Sequence, residues 1–255
     1  MIYSRLPVLF LGTITSEKYG AANAAIASTI LHNLHKAKNY GIQDIADMCN
    51  VSVSSISRFC TQIGLSGFAE FREILMNADL SLEQQSFHEE PDERYREYEE
   101  NTVSAIREVS RSIDRETLNR LVCDIQQYDR IAVFGLLKAQ SAAISLASDL
   151  MFCGKQVYSN VSFSEQIEYL KSAGKNDLVL IFSYTGSYFE GVERSLSQSP
   201  LRARVWMISG GRQHPSFIRN VLRFDSRLDQ ASHPYQLLYM ATVIAQEYMY
   251  QYSDQ

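Results

Sequence analysis

Long apolar runs are missing from this 255-residue chain, and so is any excess of basic charge. No stretch approaches the roughly 18 apolar residues that a spanning helix needs, which excludes a helical membrane protein and argues against a membrane partner. The opening Pro7-Val8-Leu9-Phe10-Leu11 has no basic flank and no small-residue cleavage site, so no secretory leader is expected and the expected compartment is the cytoplasm. Cysteine is scarce. Cys49, Cys60, Cys123 and Cys153 lie far apart, with no Cys-x-x-Cys and no paired histidines, so neither a disulfide framework nor a metal or other cofactor is expected. Hydrophobic residues at 45% and charged residues at 21% are globular proportions, which excludes a disordered or collagen-like chain.

What charge there is sits unevenly. Residues 1–80 hold six basic and six acidic residues, residues 81–101 hold two basic against eight acidic, and the remainder is close to neutral. An acidic, Gln/Ser/Glu-rich stretch between two near-neutral blocks reads as a surface linker. The expected division is therefore a first domain at 1–78, an acidic linker and the start of a connecting helix at 79–101, and a second domain at 102–255.

In the first block, Ile26, Ile30, Leu34 and Ala37 are spaced as one face of a helix over 22–37. Gly41 permits a turn, and Ile42, Ile45, Ala46 and Cys49 mark a second, short helix. Asn50 and Val51 make a tight connection to Ser52, whose hydroxyl suits the N-cap of a third helix ended by Gly64. On a wheel, Ile56, Phe59, Cys60 and Ile63 share one apolar arc. Ser54, Arg58 and Thr61 lie opposite, flanked by Ser55, Ser57 and Gln62. A helix, a tight turn and a helix with an uncharged polar face carrying one arginine is what a major-groove reader requires. The same periodicity also describes a small helical bundle with a solvated face. Only Arg58, Lys36, Lys38 and Arg72 are placed for phosphate contacts, so a single copy is expected to bind DNA weakly and a dimer to be needed.

The second block changes pattern. After a charged helical stretch from Arg94 to Gln127, short apolar runs end at Gly135, Tyr158, Phe182, Ile208 and Phe224. Helix-compatible segments alternate with them, among them 141–153 and 188–197. That alternation predicts a doubly wound α/β domain around a parallel sheet, with any ligand beyond the carboxyl ends of the strands. Ser183-Tyr184-Thr185-Gly186-Ser187 leaves the third strand and opens a helix. Its hydroxyls and amides suit a phosphate cradle, and equally a routine capped turn. The apolar C-terminal segment from Tyr235 to Tyr252 is expected to dock on the sheet, to be shared with a second subunit, or both.

The run from Ile42 to Phe68, with its Arg58-Phe59-Cys60 and Gly64-x-x-Gly67-Phe68 elements, resembles the N-terminal helix-turn-helix of the RpiR/MurR family of bacterial transcriptional regulators. The loop exits of the second block resemble the sugar isomerase (SIS) domain that follows it in that family. The resemblance covers about residues 20–250. It implies an α-helical helix-turn-helix domain, then a three-layer α/β domain with a parallel sheet. It implies double-stranded operator DNA and a phosphorylated sugar as partners, and a homodimer or homotetramer. Ser52, Ser54, Ser55, Ser57 and Arg58 are then the DNA-facing positions. Gly135, Lys138, Ser141, Ser183, Thr185, Gly186 and Ser187 are the ligand-facing ones. Two departures bear on that pocket. Where the family has Gly-x-Gly-x-Ser, this chain has Gly135-Leu136-Leu137-Lys138-Ala139, losing a glycine and the phosphate-binding serine. In the second loop Thr185 replaces serine and Tyr188 replaces threonine. Lys138 or Ser141 is expected to compensate. Glu165, Glu168, His214 and His233 form no catalytic spacing, so a sensor is expected and not an isomerase.

Overall fold

Three phenylalanines far apart in the chain organise the first eighty residues. Phe10, Phe59 and Phe71 are fully buried, with ring centroids 5.7, 6.0 and 6.3 Å apart in the three pairings. They come from α1 (Arg5–Ser16), α5 (Val53–Gln62) and α6 (Phe68–Met76). Between these lie α2 (Ala22–His32), α3 (Leu34–Ala37) and α4 (Ile42–Met48). The computed structural model describes residues 5–18, 20–80, 86–190, 192, 196 and 201–252. Residues 81–85 of the acidic segment, and 191, 193–195 and 197 of the helix expected over 188–197, lie outside them.

The helix expected over 22–37 is two helices. Asn33 breaks it by donating its side-chain amide to the Thr29 carbonyl at 2.9 Å, which competes with the helical ladder. Helix α1 had no counterpart in the sequence reading. It forms because Leu6, Leu9 and Phe10 share one buried face.

The turn between α4 and α5 is closed by its own backbone. Val51 N–H donates to Ala46 O and Asn50 N–H to Asp47 O, with Asn50 at φ 53°. This is the paired-bond helix ending in which asparagine substitutes for glycine. The Ser52 hydroxyl then accepts the Ser55 N–H and starts α5. Helix α5 ends the same way, through Leu65 N–H to Cys60 O and Gly64 N–H to Thr61 O.

By its contacts the chain separates into two compact units, one of Tyr3–Ser81 with Asn160–Glu168, the other of Leu82–Ser159 and Tyr169–Gln255. The second opens with α7 (Pro91–Ser112) and α8 (Arg115–Gln127). The charged stretch expected to be helical from Arg94 to Gln127 is interrupted there, because Asp114 leaves the helix and its carboxylate takes the Thr117 N–H to cap α8.

The strands are β1 (Arg130–Gly135), β2 (Gln156–Tyr158), β3 (Asp177–Phe182), β4 (Arg204–Ser209) and β5 (Asn220–Arg223). Helix α9 (Lys138–Phe152) lies between β1 and β2, and α10 (Phe163–Ser172) between β2 and β3. Helix α11 (His233–Tyr252) closes the chain. All strand pairs are parallel, in the order β2-β1-β3-β4-β5. One sheet face, with Ile131, Val133, Leu180, Phe182, Trp206 and Leu222, packs with α8, α9 and α11 into a single apolar core. At the amino ends of the strands, Arg130 grips the buried Asp177 across the β1–β3 pair at 2.9 and 3.0 Å.

The cap on α5 generates a prediction. Ser52→Ala is expected to lower stability by about 1 kcal/mol, because one first-turn N–H loses its partner. Chemical denaturation followed by circular dichroism measures this, and an unchanged midpoint would show that the hydroxyl does not hold the helix.

Candidate functional site

The candidate residues lie on two surfaces. On the first unit, α5 presents Ser52, Ser54, Ser57, Arg58, Thr61 and Gln62 to solvent, with Ser55 half-buried. The helix bears one arginine and no acid. Its hydroxyls are mutually ordered: Ser52 Oγ lies 2.8 Å from Ser54 Oγ and 2.9 Å from Ser55 Oγ, and the Arg58 guanidinium reaches Ser55 Oγ at 3.4 Å. All five predicted DNA-facing residues thus lie within the cap and first two turns of one helix. Of the cations expected to help, Lys36 and Arg72 are exposed. Lys38 instead donates to the Ala78 carbonyl at 2.6 Å, which ties its ammonium to the chain.

On the second unit, Gly135 and Phe182 are register partners at the carboxyl ends of β1 and β3. From β1 the chain turns one way to β2, and from β3 the other way to β4, so this is the point where the strand order reverses and where open α/β sheets leave a crevice. The two loops singled out in sequence leave the sheet side by side here. A side chain at Gly135 would stand 2.6 Å from the Ala139 carbonyl, which only glycine avoids. Leu137, in the place of the family's second glycine, keeps a conformation suited to glycine, φ 53° and ψ −124°.

In the second loop, Ser183 Oγ accepts the Tyr188 N–H at 3.1 Å, which leaves its own hydrogen to donate. Thr185 and Ser187 share a hydrogen bond of 2.7 Å between their hydroxyls. Gly186, at φ 86°, lies so close to Gln213 that a Cβ would stand 1.8 Å from its carbonyl oxygen. Tyr188, where the family has threonine, is buried, and burial pushes its phenol far above the ordinary value. Lys138, the first residue of α9, donates to the Gln230 carbonyl at 3.1 Å, and Ser141 is exposed one turn further along.

Two residues of this region, Tyr184 and Gln236, were given no role of their own in sequence, and His233, expected in a loop, sits elsewhere. Tyr184 turns away from solvent, donates to Gln236 at 2.6 Å and lays its ring 4.7 Å from His233, with burial raising its pKa to about 12. His233 does not lie in a loop. It is the first residue of α11, buried, with Nδ1 3.1 Å from the Asp229 carbonyl. A carbonyl only accepts, so Nδ1 carries the proton. Burial, and then the charge of Lys138, hold its pKa down to about 4. The only hint in sequence was the His233-Pro234 pair, since proline favours the first turn of a helix. Glu165 and Glu168 are exposed on α10, and His214 is exposed beside Pro215.

Comparison with known proteins follows the same division. Residues 11–81 match the helix-turn-helix domain of the rpiR family. The first unit is an rpiR-family helix-turn-helix. The chain is similar to the HTH-type transcriptional regulator HexR of Pseudomonas aeruginosa, 25% identical over 182 residues, which is 69% of this chain but 64% of that protein's length. Among solved structures, NanR of Vibrio vulnificus, complexed with ManNAc-6P, aligns over 98% of this chain and 93% of that one, with a TM-score of 0.54 and 17% identity. The sugar isomerase domain of the RpiR transcription factor of Sphaerobacter thermophilus aligns over 63% of this chain and 92% of its own, with a TM-score of 0.52 and 13% identity. These establish a sugar-isomerase fold for the unit behind the rpiR domain. No helix among the described residues is long and apolar enough to cross a membrane.

The state of His233 has a pH consequence. Folded His233 stays neutral down to about pH 4, whereas the ordinary value is 6.5. Its contribution to stability is therefore complete above pH 6.5 and lost as the pH falls from there towards 4, by on the order of 3 kcal/mol across the whole window. Denaturation of the wild type and of His233→Asn across that range measures it. Equal pH slopes in the two proteins would contradict the buried neutral ring.

Proposed function

We propose that this protein is a cytoplasmic transcriptional regulator that binds operator DNA through α5, as a homodimer or homotetramer, with its affinity set by a phosphorylated sugar at the β1–β3 crevice. The observation that carries the DNA reading is the exposed face of α5, one arginine among ordered hydroxyls with no acid, on a helix fixed at both ends. Arginine forks to guanine or grips phosphate, and short hydroxyls approach backbone or base edges closely. With so few cations on one copy, two copies on neighbouring half-sites supply what a single domain lacks.

The ligand reading rests on the convergence of the two loops at the switch point, on the Ser183 hydroxyl and on Lys138 at the head of α9. The ligand in the NanR complex supports a sugar phosphate as the class. Glu165, Glu168 and His214 are exposed and have no catalytic spacing in sequence, which favours sensing over isomerisation, with no catalytic residue assigned. A second reading, a dimerising scaffold without a ligand, draws its support from Ala139 and Leu137 in place of a serine and a glycine.

Duplexes selected by the wild type from a random DNA pool provide the first test. Arg58→Ala is expected to weaken binding to them by about 1–3 kcal/mol, or to lower the salt slope by about one if the contact is to phosphate. Unchanged affinity and slope would remove Arg58 from the interface. The second test is a thermal-shift panel of hexose, amino-sugar and pentose phosphates, ManNAc-6P included. A ligand at one hundred times its Kd stabilises by about 2.7 kcal/mol. The gain is expected to vanish in Ser183→Ala/Thr185→Ala. A gain that persists there would place the ligand elsewhere, and a wild type blind to the whole panel favours the scaffold.

A further inference from the structure

Behind the Ser183–Ser187 loop, one buried carboxamide joins three separate segments. Gln236, on the first turn of α11, is fully buried. Its Oε1 accepts from Tyr184 Oη at 2.6 Å and from Ser226 Oγ at 3.3 Å, and its Nε2 donates to the Ala105 carbonyl of α7 at 3.3 Å. Tyr184 lies between Ser183 and Thr185, the two hydroxyl residues proposed to meet the ligand. Its side chain turns inward, between His233 and Phe224. Helix α7 is the element by which the chain enters the α/β unit after the acidic segment. Its other ties to this unit flank Ala105: Tyr98 Oη and Ser104 Oγ bond Tyr235 and Arg227 before it, and after it Arg227 grips Glu108 at 2.6–3.1 Å and Ser112 Oγ accepts from Asp225 N–H.

We infer that the Tyr184–Gln236 pair is a positioning device that makes the placement of α7 depend on the conformation of the Ser183–Ser187 loop, and so transmits occupancy of that loop towards the DNA-binding unit. The last step rests on the function proposed above, whereas the dependence of α7 on the loop does not. The reasoning is one of satisfaction. A buried carboxamide cannot leave its partners without a cost comparable to a lost hydrogen bond. When the backbone of residues 183–185 moves, the Tyr184 hydroxyl moves with it. Gln236 must then follow, pulling on the Ala105 carbonyl, or surrender the bond. The first response reaches α7, and the cost of an unmet buried amide favours it over the second. Neighbouring contacts between α7 and α11, such as Tyr98 Oη donating to Tyr235 Oη at 3.0 Å, do not involve the loop.

Amide hydrogen exchange on the full chain tests this. Tyr184→Phe removes the hydroxyl and keeps the ring packing. It is expected to speed exchange in α7 around residues 105–109 by about fivefold, the worth of one ordinary hydrogen bond. Tyr98→Phe is expected to leave that segment unchanged. Exchange around 105–109 that is equal in Tyr184→Phe and wild type overturns the inference. Equal acceleration by Tyr98→Phe also overturns it, since that would report a general loosening. In a second arm, a sugar phosphate that protects residues 183–187 of the wild type is expected to alter exchange in α7 too, and in Tyr184→Phe to protect the loop alone. A response of α7 that survives in Tyr184→Phe likewise overturns the inference. If no sugar phosphate protects the wild-type loop, the ligand reading fails, while the ligand-free comparison still decides whether Tyr184 governs α7.

Discussion

Parallel strands cannot be joined by tight turns, so each must be reached by a crossover, and in this sheet the first strand in the chain has later strands on both sides. That constraint places everything else in the α/β unit. Because β1 leads to β2 on one flank and β3 leads to β4 on the other, the exits of β1 and β3 diverge from adjacent positions, and Gly135 meets Phe182 in register. The loop after β5 returns along the same edge, which sets His233 against Tyr184 and puts Gln236 under both. A crevice flanked by two loops and the first turns of two helices follows from strand order before any particular side chain is considered.

The conformation at Leu137 shows how strongly that order dictates the backbone. A leucine held at φ 53° and ψ −124° costs on the order of 1–3 kcal/mol and persists only where its surroundings over-determine it. They do so here through Gly135, which lets the strand end approach the carbonyl of Ala139, and through the bonds from Ala139 N–H to Leu136 O and from Gln140 N–H to Leu137 O. Beyond them, Ala142, Ala143 and Leu146 of α9 are buried against the sheet. The backbone at Leu137 thus follows a course suited to glycine although a leucine stands there, and the amides of Ala139 and Gln140 are spent on closing the turn.

Local signals were legible and long-range ones were not. The central strands β1, β3 and β4 could be read to within a residue or two because they are buried and run as nearly continuous apolar stretches. Ser52 and Gly64 could be read because caps act over three or four residues. The break at Asn33 was missed because the apolar spacing continues across it while its amide quietly competes for Thr29. Lys38 counted as a phosphate contact until folding brought the Ala78 carbonyl 40 residues away to its ammonium. Tyr184 and Gln236, 52 residues apart, and Gln236 and Ala105, 131 apart, carry no periodicity that links them. The polar centre of the unit is a product of topology, and a single sequence gives no direct record of it.

The small charge on α5 and the small size of the polar junction belong to one energetic scale. On the proposed reading, a face with one arginine would take little from the counterion release that drives non-specific binding, so affinity would rest on geometry: where the helix sits, and whether a second copy sits one helical turn away. Binding governed by placement responds to small displacements in a way that binding governed by bulk charge does not. One buried hydrogen bond is worth about 1 kcal/mol net, or roughly fivefold in an equilibrium, which is the lower end of ordinary coupling between sites. A junction such as Gln236 is therefore large enough to shift a geometry-dependent affinity and too small to abolish it. Graded control is what a single carboxamide between the loop and α7 is suited to deliver.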